Sequence, residues 1–152
     1  AWDSRREQAY PFPDGRMAFD GEGFVDAIER EDQETAFAML NGGLDSRMSY
    51  RDFEPWLARA ALAHYQDFGH AAIYVYKMGQ LVETLGNAVL EPCLKALVRG
   101  LIYASREDLI PEFRHYATAR SAWTGDGTVA VQASDFLGLD GKAWSSGSPL
   151  KI

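Results

Sequence analysis

The sequence predicts an all-α fold: a compact bundle of about six antiparallel helices with an irregular N-terminal arm and a short strand-like, Gly/Ser-rich C-terminal tail. Three observations carry this. Apolar residues recur at helical spacing, as in Leu90, Leu94, Leu97, Val98, Leu101 and Ile102. Prolines and glycines fall where helices begin and end. No strand pattern separates one predicted helix from the next. The predicted boundaries are 1–19 for the arm, 20–122 for the helical domain and 123–152 for the turn, strand and tail.

Each element has a local reason. In the arm, Pro11-Phe12-Pro13-Asp14-Gly15 is turn chemistry, because proline fixes φ and Asp-Gly closes a bend. Helical signal starts near Gly23, with Phe24, Ala27 and Ile28 on one face. Asp32 can cap a second helix whose apolar side is Ala36, Phe37, Met39 and Leu40, and Gly42-Gly43 is expected to end it. Pro55 is expected only in a first turn, where backbone N–H groups lack partners. The third helix is therefore predicted over 53–66, with Asp52 as its N-cap.

A helix unbroken from 53 to 85 would be about 50 Å long, against an expected radius of gyration of about 15 Å. A corner is accordingly predicted at Asp67-Phe68-Gly69, followed by a fourth helix from His70 to Leu85 that Gly86 stops. Pro92 and Pro111 mark two more starts, for a fifth helix over 89–104 and a sixth over 109–122. Beyond them, residues 128–132 alternate as a short strand would, and 138–149 read as linker.

The chain has 152 residues, enough for one domain to bury its own core without a staple. Apolar residues make up 47% and charged residues 24%, which excludes collagen, coiled coil and wholesale disorder. The net charge of −7 repels phosphate, so neither nucleic acid nor an anionic membrane surface is an expected partner. No apolar stretch is long enough to span a bilayer. The one cysteine, Cys93, can form no intrachain disulfide, and a reducing cytoplasm is the expected location. The N-terminus has no apolar run of the signal-peptide kind, and the absence of an initial Met fits a processed or partial sequence.

Candidate chemistry gathers at His64-Tyr65-Gln66-Asp67-Phe68-Gly69-His70. Three of its side chains, His64, Asp67 and His70, can ligate a metal. On the predicted sixth helix, Glu112-Phe113-Arg114-His115 repeats the Glu-x-x-His spacing of di-iron bundles, in which i and i+3 aim at one interior site. The candidate metal set is therefore His64, Asp67, His70, Glu112 and His115, for iron, manganese or zinc. A lone Glu-x-x-His is also common by chance, and helical histidines are often hydrogen-bonded core residues or C-terminal charges. Asp67 serves equally as a helix cap.

A second constellation joins His70, Tyr74 and Lys77 on one face of the fourth helix, with Tyr74 and Lys77 as candidate catalytic residues. A desolvated lysine would be suited to proton transfer. The alternative is a packed stem with the ammonium in water. The aromatics Trp56, Tyr65, Phe68, Tyr74, Tyr76, Tyr103, Phe113 and Tyr116 can line a pocket for a flat ligand, fill the core or form a subunit contact. Cys93 lacks the second cysteine of a Cys-x-x-Cys redox pair.

Ala63-His64-Tyr65-Gln66-Asp67-Phe68-Gly69-His70-Ala71-Ala72-Ile73-Tyr74, with Lys77 and Arg106-Glu107-Asp108-Leu109-Ile110-Pro111-Glu112-Phe113, resembles a helical region of bacterial proteins that also carry a Rieske-type ferredoxin domain. It is more distantly similar to questin-oxidase-like helical proteins. The similarity covers about residues 24–116. It implies an all-helical, redox-associated domain, with a longer parent chain as a further expectation. A Rieske cluster needs two cysteines and two histidines, so Cys93 alone does not provide its ligands.

Two functional readings follow. The first is a helical module that binds a small ligand or a protein partner and forms a homo-oligomer through an aromatic face. The alternative is a metal-dependent oxidoreductase built on the His/Asp/Glu set.

Overall fold

The computed structural model describes residues 11–122, which contain helices and turns and no strand. The chain divides into a unit of residues 1–120 and a second of residues 121–152, and the packing below is that of the first. The helices are α1 (Gly21–Glu29), α2 (Gln33–Asp45), α3 (Tyr50–Ala61), α4 (His70–Leu85), α5 (Leu90–Ile102) and α6 (Tyr116–Ala122). Short 3-10 turns occupy Gln66–Gly69, Asn87–Val89, Glu107–Leu109 and Pro111–Phe113. The expected strand over 128–132 and the linker over 138–149 lie outside the described residues.

Short polar side chains start the first three helices. Asp20 accepts from the Gly23 N–H at 3.0 Å, and Asp32 accepts from the Thr35 N–H at 3.1 Å. Ser49 and Asp52 form a capping box, with Asp52 accepting from the Ser49 N–H at 2.7 Å. Such caps satisfy N–H groups that a helix start leaves open, typically for ~1 kcal/mol each. The hydrogen bonds from Thr35 and Ser49 also hold the Asp32 and Asp52 carboxyls below their ordinary pKa.

Several expected boundaries are corrected. The third helix begins at Tyr50, not 53, and ends at Ala61. Asp52 is a first-turn residue of that helix, and Ser49 is its cap. Pro55 lies beyond the first turn and leaves the Arg51 carbonyl without its helical donor. Both residues are exposed, so water can serve that carbonyl. Gly42-Gly43 does not end α2, which continues to Asp45. These glycines are points of close approach instead. A Cβ on Gly42 would stand 1.8 Å from the Met17 carbonyl oxygen, and one on Gly43 would stand 2.6 Å from the Phe53 ring. The sixth helix is broken into two 3-10 turns and the short α6, and Ile110, held extended before Pro111 (φ −77°, ψ +134°), interrupts it.

The core lies among α1, α2, α3 and α5, with Phe24, Phe37, Phe53, Leu40, Leu57, Leu94 and Val98 fully buried. The described part of the arm is an extended strap across α2 and α5. Buried Asn41 donates to the Pro13 and Gly15 carbonyls at 3.1 and 3.0 Å. Phe12 packs on Phe37 with ring centroids 5.4 Å apart, and the Arg99 guanidinium lies 3.9 Å from the Phe12 centroid. Helix α4 packs against α3 and α5 and adds Ala71, Val75 and Val82 to this core. Tyr50 wedges beneath it and donates its hydroxyl to the Val75 carbonyl, next to Gly79, where a Cβ would stand 2.9 Å from the tyrosine ring. Burial pushes the Tyr50 phenol well above its ordinary pKa.

Candidate functional site

Helix α4 has 16 residues but buries only Ala71, Val75 and Val82. Its apolar residues Ile73, Tyr74, Tyr76, Leu81 and Leu85 are exposed. A helix that buries so little of its apolar surface leaves a face for something else.

Beside that face, α4 and α5 diverge into a groove of about 550 Å³. Tyr74 and Met78 form one wall, Ala96 and Gly100 the other, and Tyr103 the rim. Ala96 and Gly100 are four apart on α5, so both present almost no side chain to the same face. A Cβ on Gly100 would meet no other atom within 4 Å, so the floor of the groove is open space. Volume and apolar lining both match the usual dimensions of small-molecule sites. A larger hollow of about 850 Å³ lies beside the strap, and Asp14, Gln33, Glu34 and Arg99 give it more polar lining than the groove has.

Asp67 and Ser105 close the groove at its polar end. They belong to the corner between α3 and α4, where the backbone turns left-handed: φ is +53° at Tyr65, +51° at Asp67, +52° at Phe68 and +85° at Gly69. This conformation costs roughly 1–2 kcal/mol per non-glycine residue, so other contacts must hold it. The Asp67 N–H donates to the Ser105 carbonyl at 3.3 Å, and the Asp108 N–H donates to the His64 carbonyl at 3.2 Å. The Tyr116 hydroxyl donates to the Leu62 carbonyl at 2.6 Å, and Arg120 to that of Ala63 at 3.1 Å. Tyr65 also packs on Phe113 and Tyr116, at centroid distances of 5.2 and 5.3 Å.

Two acids lie under the corner. Glu107 is 2% exposed and accepts from the Ser105 hydroxyl at 2.5 Å. Desolvation pushes its pKa up, but Ser105 and the N–H groups of Phe68, Glu107 and Asp67 outweigh this and hold it below the ordinary value. Its other oxygen, Oε2, has no hydrogen-bond partner among the described residues. Asp108 shows the same competition. Burial raises its pKa, while hydrogen bonds and charge from Arg106 and His64 lower it further, for a net decrease.

The sequence-predicted residues fare differently. His64 sits between two carboxylates: Nδ1 is 3.0 Å from Asp108 Oδ2, and Nε2 meets Glu29. Arg106 Nη2 lies 2.8 Å from the same Nδ1. Both ring nitrogens are thus occupied, on opposite edges of the imidazole. Asp67 and His70 approach only to 3.9 Å, and His70 stacks on Tyr74 instead, at 6.2 Å between centroids. Glu112 and His115 share no helical face, since one lies in a 3-10 turn and the other in the turn before α6. His115 accepts from Arg114 at 3.3 Å. Among the described residues, no three His, Cys, Asp or Glu side chains converge as metal ligands. Among the described residues, His64, Asp67, His70, Glu112 and His115 are not brought together as one set. The broken helix separates the second pair, and carboxylates already engage His64.

Tyr74 does line a site, as a wall of the groove. Lys77 does not join it: the ammonium is exposed and donates to Gln80 at 2.9 Å, so it lacks the desolvation that proton transfer from lysine was expected to need. Cys93 is half-buried against the core. Sequence reasoning missed Glu29, Ser105, Arg106, Glu107 and Asp108 as partners of the corner. The polar run 105–108, just before the predicted sixth helix, is the available signal. It also missed Gly100, whose role depends on the space above it.

The chain matches no protein-family model, no curated protein and no solved structure.

Proposed function

We propose that this chain is a ligand-binding helical module, with its site in the groove between α4 and α5. The observation that supports this most directly is the open space above Gly100 in a groove that Tyr74 and Tyr103 also line. A flat or compact, largely apolar molecule would cover these surfaces and gain roughly 25 cal/mol for each Å² of apolar area removed from water. The exposed apolar residues of α4 beyond the groove suit a contact with a second copy of the chain or another protein. The sequence resemblance to helical regions of Rieske-associated bacterial proteins would place such a module in a redox-associated assembly. The single cysteine fits a reducing cytoplasm.

The test is titration with a neutral apolar fluorophore, N-phenyl-1-naphthylamine. The chain is expected to bind one equivalent with saturation, and Gly100→Trp, which fills the groove without entering the core, is expected to abolish it. Unsaturable binding, or equal binding by the variant, would overturn the reading.

A further inference from the structure

The polar end of the groove narrows the ligand to a chemical class, an inference that rests on the groove being the binding site. Among the described residues lining it, Asp67 is the only charged one. Its carboxylate is partly exposed and can only accept hydrogen bonds. Ser105 has a hydroxyl, but its proton is committed to Glu107 at 2.5 Å, which leaves only lone pairs for a ligand. Buried Glu107 is held ionised directly behind it. Tyr103 likewise donates its hydroxyl to Gln33 at 3.3 Å, and Gln33 does not line the groove.

Cations near this end are directed elsewhere. Arg106 is engaged by Asp108 at 3.0 Å and lies at His64, while Lys77 reaches Gln80 and the Tyr76 ring. His70 approaches Asp67 at 3.9 Å but does not line the groove. The groove is therefore lined by two tyrosines, apolar groups and side-chain acceptors, with a negative charge at the Asp67 end. Tyrosine faces and carboxylates both attract a positive centre, and an apolar body is needed to cover the floor.

We infer that the groove selects small organic cations, an apolar or aromatic body carrying a protonated or quaternary amine. The amine lies at the Asp67 end, and the body lies over Gly100 between Tyr74 and Tyr103.

The test is competition against bound N-phenyl-1-naphthylamine at pH 8, above the ordinary imidazole range. Phenyltrimethylammonium is compared with tert-butylbenzene, its neutral counterpart of nearly the same shape. The cation is expected to displace the fluorophore at about tenfold lower concentration, and added salt is expected to reduce this advantage. Asp67→Asn tolerates the left-handed backbone and is expected to remove most of the preference. Tyr103→Leu, at an exposed position, is expected to weaken it severalfold. Equal displacement by the neutral compound, or a preference that survives both substitutions, would overturn the inference while leaving the groove as a binding site. Failure of the fluorophore itself to bind would remove the groove reading and this inference with it.

Discussion

His64 Nδ1 stands 3.0 Å from Asp108 Oδ2 while Nε2 of the same ring meets Glu29, so one imidazole ties α1 and the 107–109 turn to the end of α3. The left-handed corner follows immediately in sequence, and the polar end of the groove is built on it. The ring is mostly removed from solvent, which makes its loss more costly than that of an exposed ion pair.

His64→Ala is therefore expected to destabilise the fold by about 1–3 kcal/mol, because Glu29 and Asp108 would be left half-buried without their shared partner. The urea midpoint measures this. A change within a few tenths of a kcal/mol would show that the ring only fills space.

Acidification is expected to weaken the same region. Asp108 and Glu107 both have pKa values below those of an unfolded carboxyl. Their contribution is complete above the unfolded range near pH 4 and is lost as pH falls through the lower folded values, since the unfolded chain binds more protons there. For Asp108 the groups involved are Arg106 and His64. Stability should decline below about pH 4, and Asp108→Asn should make that decline shallower. Urea midpoints measured across pH 2–6 for the two proteins provide the comparison.

Two glycine substitutions should act in opposite directions. Gly42→Ala forces a methyl to 1.8 Å from the Met17 carbonyl and should lift the strap from α2, at a cost of about 1–3 kcal/mol. Gly100→Ala places its methyl in open space and should stabilise α5 by about 0.5–1 kcal/mol through helix propensity. Thermal denaturation of the pair reads both signs in one experiment.

Phe37 is fully buried and also carries Phe12 of the strap. Phe37→Ala should cost about 3–5 kcal/mol, and proteolysis within residues 11–20 should become faster than in the parent chain.

The fold was largely legible because amphipathic spacing and caps act locally. The fourth helix, His70 to Leu85, lies where the corner at Asp67-Phe68-Gly69 and the stop at Gly86 place it. Glycine was harder to read. Gly42 and Gly43 look like a helix end in sequence, but what decides them is a distant backbone and ring that no local pattern reveals. The stretch 106–115 shows the same limit. Its Glu-x-x-His spacing has meaning only on a continuous helix, and the chain there forms a 3-10 turn and a further turn after the extended Ile110. Tyr74 could be singled out from its sequence neighbours. Its partners in the groove, Ala96, Gly100 and Tyr103, come from α5 and its end, and only folding sets them together.

The most direct measurement is a set of intermolecular NOEs between bound N-phenyl-1-naphthylamine and the methyl groups of the protein. The account predicts contacts to the Met78 and Ala96 methyls and to the rings of Tyr74 and Tyr103, all lost in Gly100→Trp. NOEs confined to other methyls, such as those of Leu81 and Leu85 on the outer face of α4, would contradict it.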